Sequence, residues 1–465
     1  MTSSRFGPVL RQALESALDH LEGLDERPVA TLATLEHLRK RLRKPLDVNG
    51  LAPELVIEEL VRDAKDGIVG SAGGRFFAWV IGGSLPAALA ADSLTSAWDQ
   101  NAAVYACSPS AAVVEEVAGE WIKELLGLPQ SASFALVTGC QMAHTTCLAA
   151  ARHAVLAERG WDVERQGLYG APRIRLLSSF RRHGTFERSV RLLGLGHGQI
   201  RDLSVDSSGS LAPEALEQAL QADPEFPAIV LLQAGDVNAG VYDDFQTLIP
   251  IAKRFRAWVH IDGAFGLWAA ASPRYAHLVA GVSAADSWAT DGHKWLNVPY
   301  DCGYAIVADS RAHKSAMSHH VPYIQQAADA RDQSDWNPEW SRRARGFSTY
   351  AALRHLGRSG VCDLVERCCN HARELVRGIA ALPGAEMLYE PKINQGLVRF
   401  LDPLGTDHDR YTETVIRKIV LSGEAFFGPT TWDGIRCMRV SVSNWQTSEA
   451  DIRRAIQAVA SALER

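Results

Sequence analysis

The sequence has no unbroken apolar run long enough to span a bilayer and no surplus of positive charge. Residues 131–151 contain no Asp, Glu, Lys or Arg, but Gln141, His144 and several threonines interrupt them. That pattern fits a buried helix and argues against a membrane contact. Lys and Arg number 48 against 54 Asp and Glu, a net charge of -6, so no broad cationic field for nucleic acid is expected. The basic patches at 37–44 and 341–346 are too local to change that balance. Eight cysteines, at 107, 140, 147, 302, 362, 368, 369 and 437, form neither a C-x-x-C pair nor a zinc-ligand spacing. No metal site and no disulfide framework are expected, and a reducing cytoplasmic setting is. The N-terminal residues lack the apolar segment of a signal peptide. Internal repeats and low-complexity linkers are also missing.

What is present is a chain of 465 residues, 47% hydrophobic and 22% charged, enough for a large core. Residues 1–65 read as an amphipathic helical arm, with Pro45 ending its second pattern. Ser108 before Pro109 reads as the cap of a helix over 109–126. The segment 66–340 alternates short apolar runs with helical patterns, the mark of a mostly parallel sheet covered on both faces. Strands are predicted at 133–138, 173–179, 190–195, 226–232, 257–262 and 303–308, with helices at 141–158, 213–222 and 244–255. From 341 to 465 the pattern becomes a smaller α+β domain, with helices at 347–381, 408–422 and 447–463 around two strands.

Four features could carry chemistry. Lys294 follows His293 in DGHKWLNVPYDCG, a mostly small and apolar stretch. A lysine is costly to bury without a partner or a use, and a desolvated amine has a lowered pKa and attacks aldehydes. Asp262 closes the apolar strand VHID, where an open α/β sheet binds ligands. The turn TGCQMAH, 138–144, leads from a strand into a helix whose free N–H groups suit an anion. His183 lies in SFRRHGTF. Each alone is equally an ordinary surface lysine, turn cap or surface histidine.

Taken in order along one domain, these residues resemble the pyridoxal-phosphate-dependent group II amino acid decarboxylases, of the aromatic-L-amino-acid decarboxylase type. The matching positions are His183, Asp262, Ala264, His293 and Lys294, with 79 residues from His183 to Asp262 and 32 more to Lys294. The resemblance covers about residues 65–450. It implies the aminotransferase-like fold type I: an α/β architecture with a mostly parallel seven-stranded central sheet and a smaller C-terminal α+β domain. It implies pyridoxal 5'-phosphate bound to Lys294 as a Schiff base, Asp262 on the ring nitrogen, and Ala264 and His183 on the two ring faces. Gly139, Cys140 and Gln141 would hold the phosphate, with His293 beside the lysine. Tyr323, 29 residues after Lys294, would protonate the substrate Cα. A homodimer embraced by the N-terminal segment follows from the same resemblance.

The implied reaction is decarboxylation of an L-amino acid to the amine and carbon dioxide. Phe76, Phe77 and Trp79 in GGRFFAWV would line an aromatic side-chain pocket. An acidic substrate ranks lower, with Arg342, Arg343, Arg345 and Arg439 as its candidate partners. The alternatives on the same cofactor are a decarboxylating aldehyde synthase, an aminotransferase and a sphingosine-phosphate-lyase-like cleavage. Three positions depart from the family pattern: Met142 replaces an acidic residue, GDVNAG (235–240) replaces a Gly-Thr-Thr turn, and Asp291 replaces an asparagine.

Overall fold

Five-residue runs rich in Val, Ile and Leu, separated by helical stretches, leave the backbone few options but a buried parallel sheet. The computed structural model shows that sheet; it describes residues 5–319, 321 and 330–464. Its strands are β1 (Ser133–Val137), β2 (Arg175–Ser179), β3 (Ile200–Leu203), β4 (Ala228–Gln233), β5 (Trp258–Asp262), β6 (Ser287–Asp291) and β7 (Gly303–Val307). They lie in the order β1-β7-β6-β5-β4-β2-β3. Strand β7 runs antiparallel to both of its neighbours, and the other pairings are parallel. Strands β1, β5 and β6 therefore all deliver their C-terminal ends to the same edge of the sheet. Every residue of β1, β2, β4, β5, β6 and β7 is buried, as sheets covered by helices on both faces require.

The expected helices match closely: Pro109–Leu125, Cys140–Ala157, Pro213–Ala222 and Phe245–Arg254. Two predicted features are corrected. The run at 190–195 is not a strand; it forms the end of the helix Gly184–Leu192 and the turn after it. A short apolar run has no period long enough to separate the two states. Ser108 occupies the cap position before Pro109, but its side chain makes no capping bond and its buried Oγ has no partner among the described residues.

The chain divides into two compact units, neither continuous in sequence. The larger unit comprises 82–370 and 391–395; the smaller comprises 1–81, 371–390 and 396–465. This is a different division from three consecutive segments. The smaller unit carries a second sheet built from β8 (Ala385–Tyr389), β9 (Gln395–Phe400), β10 (Gly428–Trp432) and β11 (Ile435–Ser441), in the order β10-β11-β9-β8. Pairs β8–β9 and β10–β11 are antiparallel. The Phe77 N–H donates to the Phe426 carbonyl, and the Ser441 N–H donates to the Phe77 carbonyl. The segment around Phe77 is thereby hydrogen-bonded to the C-terminal part of the chain. No helix among the described residues is long and apolar enough to cross a membrane.

In the larger unit, a buried ion pair joins Arg342 Nη1 to Glu115 Oε2 at 2.7 Å. Arg342 also donates to the carbonyls of Ala102 and Leu136. Removing either partner alone would strand the other charge, at a cost of about 3–5 kcal/mol.

Candidate active site

Three chain reversals meet at the edge where β1, β5 and β6 end. After β1, Gly139 starts the helix Cys140–Ala157. After β5, Asp262 leads into Gly263, whose N–H donates to the Ala289 carbonyl on β6, and Ala264, whose carbonyl accepts from the Asp291 N–H. After β6, the chain runs through Asp291 to Lys294 and returns as β7. The loop is tightly seated: a Cβ at Gly82 would overlap the Lys294 carbonyl oxygen, and one at Gly139 would stand 2.9 Å from His293 Cε1. Asn297 pins the same loop by accepting from the Gly83 N–H at 2.7 Å.

Lys294 Nζ lies 3.3 Å from Asp291 Oδ2, on side chains that are 20% and 2% exposed. Burial opposes the ammonium charge, but the pull of the Asp291 and Asp262 carboxylates outweighs it and holds the Lys294 pKa above its ordinary value. The expectation of a lowered lysine pKa is therefore corrected for the protein without cofactor. Asp291 does more: its Oδ1 accepts from the Cys140 N–H at 2.5 Å and sits 3.5 Å from His293 Nε2. The carboxylate thus caps the helix that was expected to receive a phosphate.

An amine must lose its proton to attack an aldehyde, and a raised pKa keeps the free amine scarce at neutral pH. Asp291→Asn removes the charge that stabilises the ammonium, so capture of pyridoxal phosphate at pH 7 should accelerate by about tenfold for each pKa unit released. Stopped-flow absorbance on the cofactor-free protein measures this. Slower capture by the variant would contradict the role given to Asp291.

Asp262 is buried at the end of β5. Its Oδ2 lies 3.4 Å from His144 Nε2, and its Oδ1 accepts from the Ala264 N–H at 3.2 Å. Burial alone would raise its pKa; the neighbouring His144, with His183 and Lys294 beyond, reverses that and holds the carboxyl well below the usual range. His144 Nδ1 in turn meets His260 Nε2 at 2.8 Å. Neither histidine was a sequence candidate. The signal available was VHID itself, since His260 and Asp262 stand two residues apart on one strand and share a face.

Cys140, His144 and Asp262 bring a sulfur, an imidazole and a carboxylate within 4.8 Å of one another. Burial and the Asp262 charge push the Cys140 thiol well up, and a protonated thiol is a poor metal ligand. The same thiol stands 3.9 Å from Asp262 Oδ1.

The other sequence candidates distribute as follows. His183 is half-buried and caps the helix Gly184–Leu192, its Nδ1 accepting from the Thr185 N–H at 3.3 Å. The His293 ring stacks on Tyr300 and its Nδ1 accepts from the Cys302 N–H; burial lowers its pKa. Gln141 has a buried Nε2 with no partner among the described residues, a donor available to an anion. Phe76 and Phe77 are buried in the smaller unit, stacked on Phe426 and Phe427. Trp79, tilted against Phe426 in that unit, is 56% exposed. Tyr323 lies outside the described residues. Asp236, at the divergent GDVNAG turn, accepts from the N–H groups of Asn238, Ala239 and Val241, so its carboxylate organises its own loop.

These groups fit pyridoxal phosphate. A buried amine and the Asp262 carboxylate lie at the ends of adjacent strands, the helix at Cys140 presents further N–H groups beyond the one bound by Asp291, and Gln141 offers an unused donor. The comparison with known families decides the matter. Residues 37–401 match the pyridoxal-dependent decarboxylase conserved domain. The chain belongs to that family. It is a pyridoxal-phosphate enzyme of the carboxy-lyase type. It is 27% identical over 353 residues to an aromatic-L-amino-acid decarboxylase of Bacillus atrophaeus, covering 74% of this chain and 71% of that protein. It is 24% identical to a 4-hydroxyphenylacetaldehyde synthase of Rhodiola rosea, covering 93% and 90%. The crystal structure of Oryza sativa TDC with PLP and tryptamine superposes with a TM-score of 0.93 at 22% identity, covering 100% of this chain and 98% of that one. At that identity the superposition shows the fold, and family membership shows the cofactor.

Proposed function

We propose that this enzyme decarboxylates an L-amino acid with an aromatic side chain, releasing the amine and carbon dioxide. The observation that carries the substrate class is the state of three of the four arginines that a second, distal carboxylate could use. Arg342 is consumed by Glu115, Arg343 pairs with Asp92 at 2.8 Å, and Arg345 pairs with Asp301 at 2.6 Å and Glu339 at 3.6 Å. An acidic substrate drawn to Arg342, Arg343 or Arg345 would compete with these carboxylates, whereas an aromatic one needs none of them. The names of the relatives, an aromatic-L-amino-acid decarboxylase and a 4-hydroxyphenylacetaldehyde synthase among them, point the same way.

When bound, pyridoxal phosphate supplies the electron sink for the pair left on Cα as the carboxylate departs. The chain's own residues do the rest. Lys294 would hold the cofactor through its amine. Asp262, ionised, keeps a proton on the ring nitrogen. Gln141 and the helix N–H groups after that of Cys140, which Asp291 occupies, would hold the phosphate, while His183 and Ala264 would flank the ring. Tyr323 remains the candidate donor to Cα. Leu10, Leu14 and Leu18 lie at four-residue spacing on the helix Gly7–Glu22 and are 57%, 58% and 45% exposed. This uncovered apolar face supports a homodimer.

The test is a panel of L-amino acids incubated with the cofactor-loaded enzyme and followed by mass spectrometry. Tryptophan, tyrosine or phenylalanine should give kcat/KM values well above those for glutamate and aspartate. Preference for an acidic substrate would reject the assignment, and aldehyde in place of amine would move the enzyme to the oxidative branch of the family.

A further inference from the structure

Behind Asp262 the structure places a continuous line of buried polar groups that the reaction as described does not use. His144 Nε2 stands 3.4 Å from Asp262 Oδ2, and His144 Nδ1 is 2.8 Å from His260 Nε2. His260 Nδ1 is 2.9 Å from Ser287 Oγ, which is 2.9 Å from Trp258 Nε1. His144, His260 and Ser287 are fully buried, and Trp258 is nearly so. The line crosses the larger unit from the Cys140–Ala157 helix through β5 to β6.

Its two ends fix its sense. An indole N–H can only donate, and an ionised carboxylate can only accept. With both imidazoles neutral, one arrangement carries donors from end to end, with the Cys140 thiol also standing 3.5 Å from His144 Nε2. Trp258 donates to Ser287, Ser287 to His260 Nδ1, His260 Nε2 to His144 Nδ1, and His144 Nε2 to Asp262. Burial pushes the His260 pKa well down and keeps that ring neutral. Chains of this kind polarise one another in a low-dielectric interior. A buried carboxylate left without such a donor would favour its neutral form.

We propose that His144 is a positioning residue, and that the chain Trp258–Ser287–His260–His144 holds the Asp262 carboxylate in place for the cofactor's ring nitrogen. The inference rests on the pyridoxal-phosphate assignment but not on the identity of the substrate. The titratable groups facing Asp262 are Cys140 and His144 from the helix, His260 from its own strand, and His183 and Lys294.

The experiment uses the full-length holoenzyme without substrate, so that an error in substrate class cannot affect it. Pyridoxal-phosphate affinity and the pH titration of the bound cofactor's absorbance are measured for His144→Phe, His144→Gln and His260→Phe. His144→Phe should bind the cofactor about 10- to 100-fold more weakly, the scale of a lost hydrogen bond to a charged group, and should shift the absorbance titration. His144→Gln, whose side-chain N–H can still reach Asp262, should recover most of the loss. His260→Phe should fall between them, because it breaks the chain one link further back. A folded His144→Phe with the parent's affinity and titration would overturn the proposal, as would equal losses in His144→Phe and His144→Gln. Should His144→Phe fail to fold, His260→Phe decides: parent-like affinity and titration there overturn the chain.

Discussion

Lys294→Ala is expected to leave a folded protein that no longer retains pyridoxal phosphate covalently and has lost decarboxylase activity by on the order of 10³-fold or more, the scale of a positioned group that handles protons and bonds. The side chain lies in a loop fixed from both sides, by β6 before it and by Asn297 after it. Truncating it removes the amine without dismantling the support. It also releases Asp291, which would keep its bond to the Cys140 N–H, so the helix start survives. Borohydride reduction followed by peptide mapping reads the result directly. In the parent the pyridoxyl label should sit on the peptide carrying Lys294, and in the variant no peptide should be labelled. A label on another lysine of the parent would remove the basis of the site.

Asp262→Asn is the second large effect. The amide keeps the size of the side chain and can still accept from His144, so cofactor docking should weaken only modestly. What it lacks is the negative charge that keeps a proton on the ring nitrogen. We expect kcat to fall by about 10²- to 10³-fold, the range seen when one preorganised electrostatic group is removed, with KM changed far less. The split matters because a purely structural role would damage binding and turnover together. An unchanged kcat in a cofactor-saturated variant would mean that the ring works without Asp262.

Much of the fold was legible because its signals are local. Gly139 and Asp262 punctuate strand ends, Pro109 and Pro213 open helices, and the long helical periodicity after 346 is hard to misread. Lys294 and Asp262 stood out in the sequence for the same reason, since each sits in a short stretch of unusual composition. What was missed depends on distance along the chain. The His144–His260 contact joins residues 116 positions apart, and Arg342 meets Glu115 across 227. Sequence patterns carry no term for either. Strand β6 escaped because SWATD has polar residues that only become buried once Ser287 finds Trp258 and His260. The sign of the Lys294 shift was misjudged because desolvation is readable from an apolar neighbourhood, whereas the approach of Asp291 and Asp262 is a property of the fold. Phe76 and Phe77 show the converse. Their aromatic character suggested a ligand surface, and the structure spends both on stacking within the smaller unit.

The most direct test of the account is a carbon balance on the purified, cofactor-saturated enzyme given L-tryptophan, L-tyrosine and L-phenylalanine labelled with carbon-13 in the carboxyl group. The account predicts labelled carbon dioxide and unlabelled amine in equal amounts from at least one of the three, and neither product from Lys294→Ala. Retention of the label in an organic product, or the same products from the lysine variant at the parent's rate, would contradict it.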